Sequence, residues 1–249
     1  MENRGNKDKT MSLWEHLEEL RWTIFKSGAA VAVTTAAVAF KVNEILDVVL
    51  RPIAQVREKY PGIKLEETLF GPFDGVLIKL KLSLMLGIVL GFPLVILFFW
   101  SFISPGLKKN ERKAFVWICG AGSLFFAGGV VCGYLLVYPI LSILMRFRIE
   151  SATNMWNIKD FVSFMFYWLL GAGLVFETPL AILVLALLGV VNASILRKAR
   201  PYVYIGAFIA AAIITPPDPF TMVMVGVPLI ALYEVGVIAA SIAGKRRGN

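Results

Sequence analysis

With 249 residues, 58% of them hydrophobic, and a mean hydropathy of +0.74, the chain is too apolar for an ordinary soluble domain, where about half the residues are apolar. It reads as an integral membrane protein. The net charge of +8 is spread between hydrophobic runs instead of being gathered in one basic domain, which argues against nucleic acid as a partner. Cys119 and Cys132 lie in one apolar run, about 20 Å apart along a helix and too far to bridge. A single histidine and no Cys/His cluster leave no case for a metal or cofactor.

In chain order, a polar start with no expected cleavable signal peptide leads into an amphipathic helix over residues 12–25. Ser12 and Glu15 have the spacing of a capping box. Leu13, Leu17, Leu20 and Ile24 form an apolar stripe, with Glu15, Glu18, Glu19 and Trp22 opposite. The first span is expected over 22–42. An outer segment from Asn43 to Asp74 follows, read as a short amphipathic helix and a loop containing Tyr60-Pro61-Gly62. The second span covers 76–100 and carries Pro93, which removes one backbone hydrogen bond. A polar connection, F-I-S-P-G-L-K-K-N-E-R-K from Phe102 to Lys113, precedes the third span at 114–138, whose glycines permit close helix approach.

The fourth span, 161–188, contains Phe176-Glu177-Thr178-Pro179. The fifth run, 202–215 after Pro201, is about 21 Å long against a hydrocarbon thickness of about 30 Å, so a thinned bilayer is expected beside it. A T-P-P-D-P turn places Asp218 as N-cap of the sixth run, 220–243. The expected fold is therefore all-α: one transmembrane domain over 1–249, six spans, a concave shape and a short fifth span. Arg4, Lys7, Lys9, Arg21 and Lys26, the 108–113 loop, the 197–200 connection and the 245–247 tail put most of the Lys and Arg on the side of the termini. By the positive-inside rule both termini are cytoplasmic. Glu177 and Glu234 interrupt apolar runs, where a carboxylate costs roughly 2.5–3.5 kcal/mol on insertion scales, so each needs protein, water or a partner.

Taken together, H-L-E-E-L-R at His16 to Arg21, the F-I-S-P-G-L-K-K-N-E-R-K loop, F-E-T-P, R-P-Y-V at Arg200 to Val203 and T-P-P-D resemble the TatC family, the six-span receptor subunit of the twin-arginine translocase. The motifs keep the family's order from Met11 to Gly244. The resemblance implies that the cytoplasmic face binds signal peptides with two consecutive arginines, through Glu19 and Glu111, with Arg21, Phe102, Pro105 and Leu107 shaping the site. Two fixed carboxylates suit that role, because a guanidinium is always charged and bonds carboxylates in a planar, bidentate way that lysine does not. The resemblance also ties Pro52, Pro93, Tyr134, Glu177 and Asp218 to structure or translocation. Glu177 and Glu234 are candidate intramembrane contacts. At Met222 the chain departs from the family's glutamine at a partner-contact position, with the Thr221 hydroxyl next to it.

The implied role is non-enzymatic export of folded proteins, driven by the proton-motive force. It would take place in the inner membrane of a bacterium or archaeon, with TatA-like and TatB-like single-span partners, membrane lipid and further copies of this chain. No G-x-x-x-x-G-K-[ST] motif suggests nucleotide hydrolysis, and no H-E-x-x-H or G-x-S-x-G suggests an intramembrane protease. A secondary transporter of a small cation or proton using Glu177 is the alternative reading, against which stands the lack of an evident internal repeat.

Overall fold

The computed structural model describes residues 13–60, 65–69, 71–103, 114–147, 154–214 and 219–247. Helix α1 (Leu13–Ala39) joins the acidic segment and the first span in one rod, ending at Ala39 rather than Val42. Ser12, the expected cap, lies outside the described residues. Helix α2 (Val42–Lys59) is the expected amphipathic helix, with Val49, Pro52, Ile53 and Val56 on its buried face. Strand β1 (Leu65–Thr68) precedes α3 (Asp74–Ile103), the second span. Helix α4 (Ala114–Leu144) carries Pro139 inside it, so the third span runs beyond the expected Tyr138.

A 3-10 turn (Met145–Phe147) and strand β2 (Asn154–Asn157) lead into α5 (Ile158–Phe176). Helix α6 (Thr178–Leu187) completes the fourth span after a break at Glu177. Helix α7 (Ala193–Ile214) starts before Arg197, so the expected polar connection is helical and Pro201 lies within the helix instead of opening it. Helix α8 (Pro219–Arg247) begins at Pro219, as the turn chemistry implied, while Asp218 itself is outside the described residues.

Among the described residues, 5 segments are long and apolar enough to cross a membrane: α1, α3, α4, α5 with α6, and α8. Helix α7 makes the sixth crossing with a shorter apolar stretch. The two ends of the bundle are called proximal, where α1 starts, and distal. The all-α class holds with one addition, a two-stranded parallel ladder pairing Leu65 with Asn154 through Thr68 with Asn157. Each strand feeds a helix that leaves the distal end, and α3 and α5 pack side by side, so the segments feeding them run the same way. Below the ladder, buried Asp74 pairs with Lys159 at 3.0 Å and accepts from the Gly71 amide at 2.8 Å. Lys81 donates to Ser163 at 2.8 Å, and these bonds fasten the distal ends of α3 and α5.

Packing follows the solvent. Of the apolar stripe of α1, Leu17 is 55% exposed and Ile24 56%, while Thr23 and Ser27 are buried at 6% and 7%. In lipid no hydrophobic force drives helices together, so apolar residues face out and small or hydroxyl-bearing ones make the contact. The hydroxyls are satisfied locally: Thr23 donates to the Glu19 carbonyl at 2.9 Å and Ser27 to the Thr23 carbonyl at 2.8 Å. Thr34 crosses to α3, donating to the Gly87 carbonyl at 2.6 Å. A Cβ on Gly87 would lie 2.6 Å from the Thr35 Cα, so only glycine lets the two backbones meet. Gly87 and Gly91 form a GxxxG pair in α3. A second such pair, Gly129 and Gly133, seats α4 on α5 against Ala172. Both pairs have the strict GxxxG spacing.

The main core lies between α2, α3, α4 and α5, around Ile53, Leu82, Met85, Val137, Val162 and Met165. Helix α2 is held over it by a pairing of two residues the family resemblance had named separately. Pro52 has no amide to offer the carbonyl four residues earlier, Val48. Tyr134 of α4 donates its hydroxyl to that carbonyl at 2.8 Å. Tyr134→Phe is therefore expected to cost about 1 kcal/mol in the wild-type background and clearly less alongside Pro52→Ala, which returns an amide to Val48. Thermal unfolding of the four variants measures the coupling; equal losses in both backgrounds would mean that the hydroxyl does not replace the missing amide.

Candidate functional site

The proximal site is built from the first turns of α1 and the end of α3. Four residues, Glu15, Glu18, His16 and Arg21, stand exposed there, and Glu19 is half-buried because it faces α3. Its Oε2 is buried with no hydrogen-bond partner among the described residues. An unsatisfied buried carboxylate oxygen is costly, and it is also an acceptor held ready for an incoming donor. Phe102, half-buried in the last turn of α3, stacks on the His16 ring with centroids 4.3 Å apart and planes at 20°. That stack ties the two helix ends together, so Glu19 and Phe102 share one small region. Pro105, Leu107 and Glu111 lie outside the described residues.

The second group lies within the membrane. Pro179 is the second residue of α6 and denies an amide to the Val175 carbonyl, and the helix breaks between them at Glu177. The Glu177 amide turns back to the Leu174 carbonyl at 3.1 Å, and its own carbonyl accepts from Ala181 at 2.9 Å. The carboxylate leans on α4. A Cβ added to Gly122 would meet Ile96 and Leu180 at 2.9 Å and the Glu177 Oε2 at 3.3 Å, so the glycine leaves room for all three. Oε1 is buried and without a hydrogen-bond partner.

Glu234 differs from the expectation of a partner contact. Oε2 bonds Arg200 at 2.5 Å and Oε1 accepts from the Tyr204 hydroxyl at 2.6 Å. Both oxygens are thus engaged within the chain, and Tyr233 adds a 2.7 Å bond to the Leu196 carbonyl. This network clamps the polar end of α7 to α8, which explains how the shortest span is held. Arg200 and Tyr204 are four residues apart, one turn of α7, so both reach the one carboxylate. Thr221 was considered as a hydroxyl beside Met222; it is 0% exposed and turned into the protein, so it does not stand in for the family's glutamine at the surface. Met222 is half-buried, and Pro93 sits within α3, in neither site.

An apolar groove of about 320 Å³ opens between α4, α5 and α8, lined by Cys132, Phe164, Trp168, Val175, Pro228 and Leu229 among others. Val175 and Phe176 reach it, but Glu177 is not among its lining residues. Sequence reasoning also passed over His16 as a site residue. Its signal was available: it precedes Glu19 by three positions, which places both on one helix face.

A family model for the Sec-independent protein translocase protein TatC matches residues 15–228. The Sec-independent protein translocase protein TatC of Carboxydothermus hydrogenoformans is 33% identical over 236 residues, covering 94% of each chain. That of Escherichia coli K12 is 31% identical over 232 residues, covering 92% of this chain and 88% of its own. The chloroplast protein of Pisum sativum is 31% identical, over 96% of this chain and 66% of its own. A crystal structure of the twin arginine translocase receptor TatC superposes with a TM-score of 0.75 at 28% identity, covering 92% of this chain and 100% of that one. A second, in the detergent DDM, gives 0.77 at 29% identity. This six-span membrane protein belongs to the TatC family.

Proposed function

We propose that this chain is the receptor and core subunit of a twin-arginine translocase, a non-enzymatic machine. It binds twin-arginine signal peptides at the cytoplasmic face and exports folded proteins at the expense of the proton-motive force. The observation that carries the reading is Glu19, a half-buried carboxylate with an unpartnered Oε2 beside the His16–Phe102 stack, within a TatC family chain. In this reading the proximal face is cytoplasmic, in the inner membrane of a bacterium or archaeon. Glu111, in the segment between α3 and α4, supplies the second carboxylate, with Pro105 and Leu107 shaping the site. Arg21, exposed two residues beyond Glu19, helps to shape the site. TatA-like and TatB-like single-span subunits and further copies of this chain complete the assembly. The relatives carry the name of a protein translocase, not of a small-cation transporter.

Within the membrane, Glu177 is the carboxylate through which a partner helix is engaged during transport. A hydrogen bond from such a helix is worth roughly 0.6–1.7 kcal/mol on membrane precedents, enough to bias assembly without locking it.

Two outcomes follow. Glu19→Ala and Glu111→Ala should each weaken twin-arginine peptide binding by tenfold or more, with stability within about 0.5 kcal/mol of wild type. For Glu19 the reason is structural, since its Oε2 has no internal bond to lose. Glu111→Lys should bind worse than Glu111→Ala because it adds repulsion. Peptide titration beside thermal unfolding decides this, and wild-type affinity in both alanine variants would sink the assignment. Glu177→Gln should keep partial export and Glu177→Ala should lose more, with peptide affinity unchanged in both. Gly122→Ala, whose Cβ would crowd Ile96 and Leu180 as well as this carboxylate, should also reduce export. Export by Glu177→Ala at the wild-type rate would leave the carboxylate a structural residue.

A further inference from the structure

The His16 ring is exposed, and one of its faces is stacked on Phe102. Phe102 covers one side of the imidazole at 4.3 Å, with planes 20° from parallel, and His16 is otherwise exposed. Its partner in the stack belongs to a different helix and is half-buried, so the ring is held in one orientation instead of sweeping through solvent. Glu19 sits three residues on, and side chains three apart on a helix are surface neighbours, about 5–6 Å between their Cβ atoms. An aromatic plane and an unpartnered carboxylate oxygen at that spacing are the two groups a guanidinium recognises. The carboxylate takes its edge in planar hydrogen bonds, and the aromatic face takes its flat side. An ammonium can use the carboxylate but has no flat side to stack.

We propose that His16 is a specificity-determining residue of the peptide site, stacking on the guanidinium of one signal-peptide arginine while Glu19 bonds its edge. This rests on the reading of the proximal face as the twin-arginine site and adds to it a source of preference for arginine over lysine. Phe102 then acts as a positioning residue, through the ring it holds. The bland alternative is that the stack is a strut between α1 and α3 and touches no ligand.

The two are separated by replacing the ring with a side chain that packs but has no π-face. His16→Leu should fill the contact with Phe102 and leave thermal stability near wild type. It should bind a twin-arginine peptide about three- to fivefold more weakly and leave twin-lysine binding unchanged. His16→Phe and His16→Tyr should restore the preference for arginine. Titrations of the detergent-purified full chain and its variants with both peptides give the ratio directly. A wild-type ratio retained by His16→Leu, or one lost equally in His16→Phe, overturns the proposal while leaving the twin-arginine reading intact. Equal affinity of the wild-type chain for both peptides overturns both.

Discussion

Every packing decision in this protein depends on how closely two helix backbones can approach in a medium that does not push them together. In lipid the apolar side chains lose nothing by facing out, so contact rests on dispersion between close surfaces and on hydrogen bonds between elements. At Gly87 the backbones of α1 and α3 come close, and the Thr34 hydroxyl reaches the Gly87 carbonyl across that gap. The consequence for the proximal site is direct. Because α1 is seated on α3 at this crossing, its early turns are brought over the end of α3, where His16 meets Phe102 and Glu19 is half-covered. The Gly129–Gly133 pair does the same for α4 and α5, with the Trp168 indole donating to the Gly133 carbonyl at 2.8 Å.

Prolines supply the second organising device, and each works through the carbonyl four residues before it. At Pro52 the freed carbonyl is taken up by Tyr134, so the defect in one helix becomes a tether between two. At Pro179 the helix breaks, and the break puts a carboxylate at the junction of α5 and α6, where Gly122 leaves it room. Glu234 shows the contrasting solution. Its charge is matched by Arg200 and its second oxygen by Tyr204, so it holds the short α7 against α8 and has little left to offer a partner.

The spans were legible because long apolar runs in a chain of this hydropathy admit few other structures, and α2 because its apolar residues repeat with helical period. Some chain ends were misjudged for a simple reason. Pro139 and Pro201 read as boundaries, but proline inside a membrane helix is tolerated when neighbours meet the freed group, and both helices continue through. The parallel ladder joins segments about ninety residues apart, a pairing that no local pattern encodes. The turn between α6 and α7 was open to reading from Gly189, which takes φ 80° and closes a Schellman motif through the Val190 to Leu185 bond at 2.9 Å, followed by Asn192 capping α7. Of the site, Glu19, Phe102 and Glu177 followed from motif likeness. His16 and the role of Gly122 required the helices to be placed first.

The account stands or falls on whether the proximal face reads guanidinium chemistry. The most direct measurement is the affinity of the detergent-purified wild-type chain for a twin-arginine signal peptide, set against the same peptide with both arginines replaced by lysine. The account predicts that the lysine peptide binds at least tenfold more weakly at equal ionic strength, since two carboxylates and an aromatic face favour a planar cation. Comparable affinity for the two peptides would contradict it.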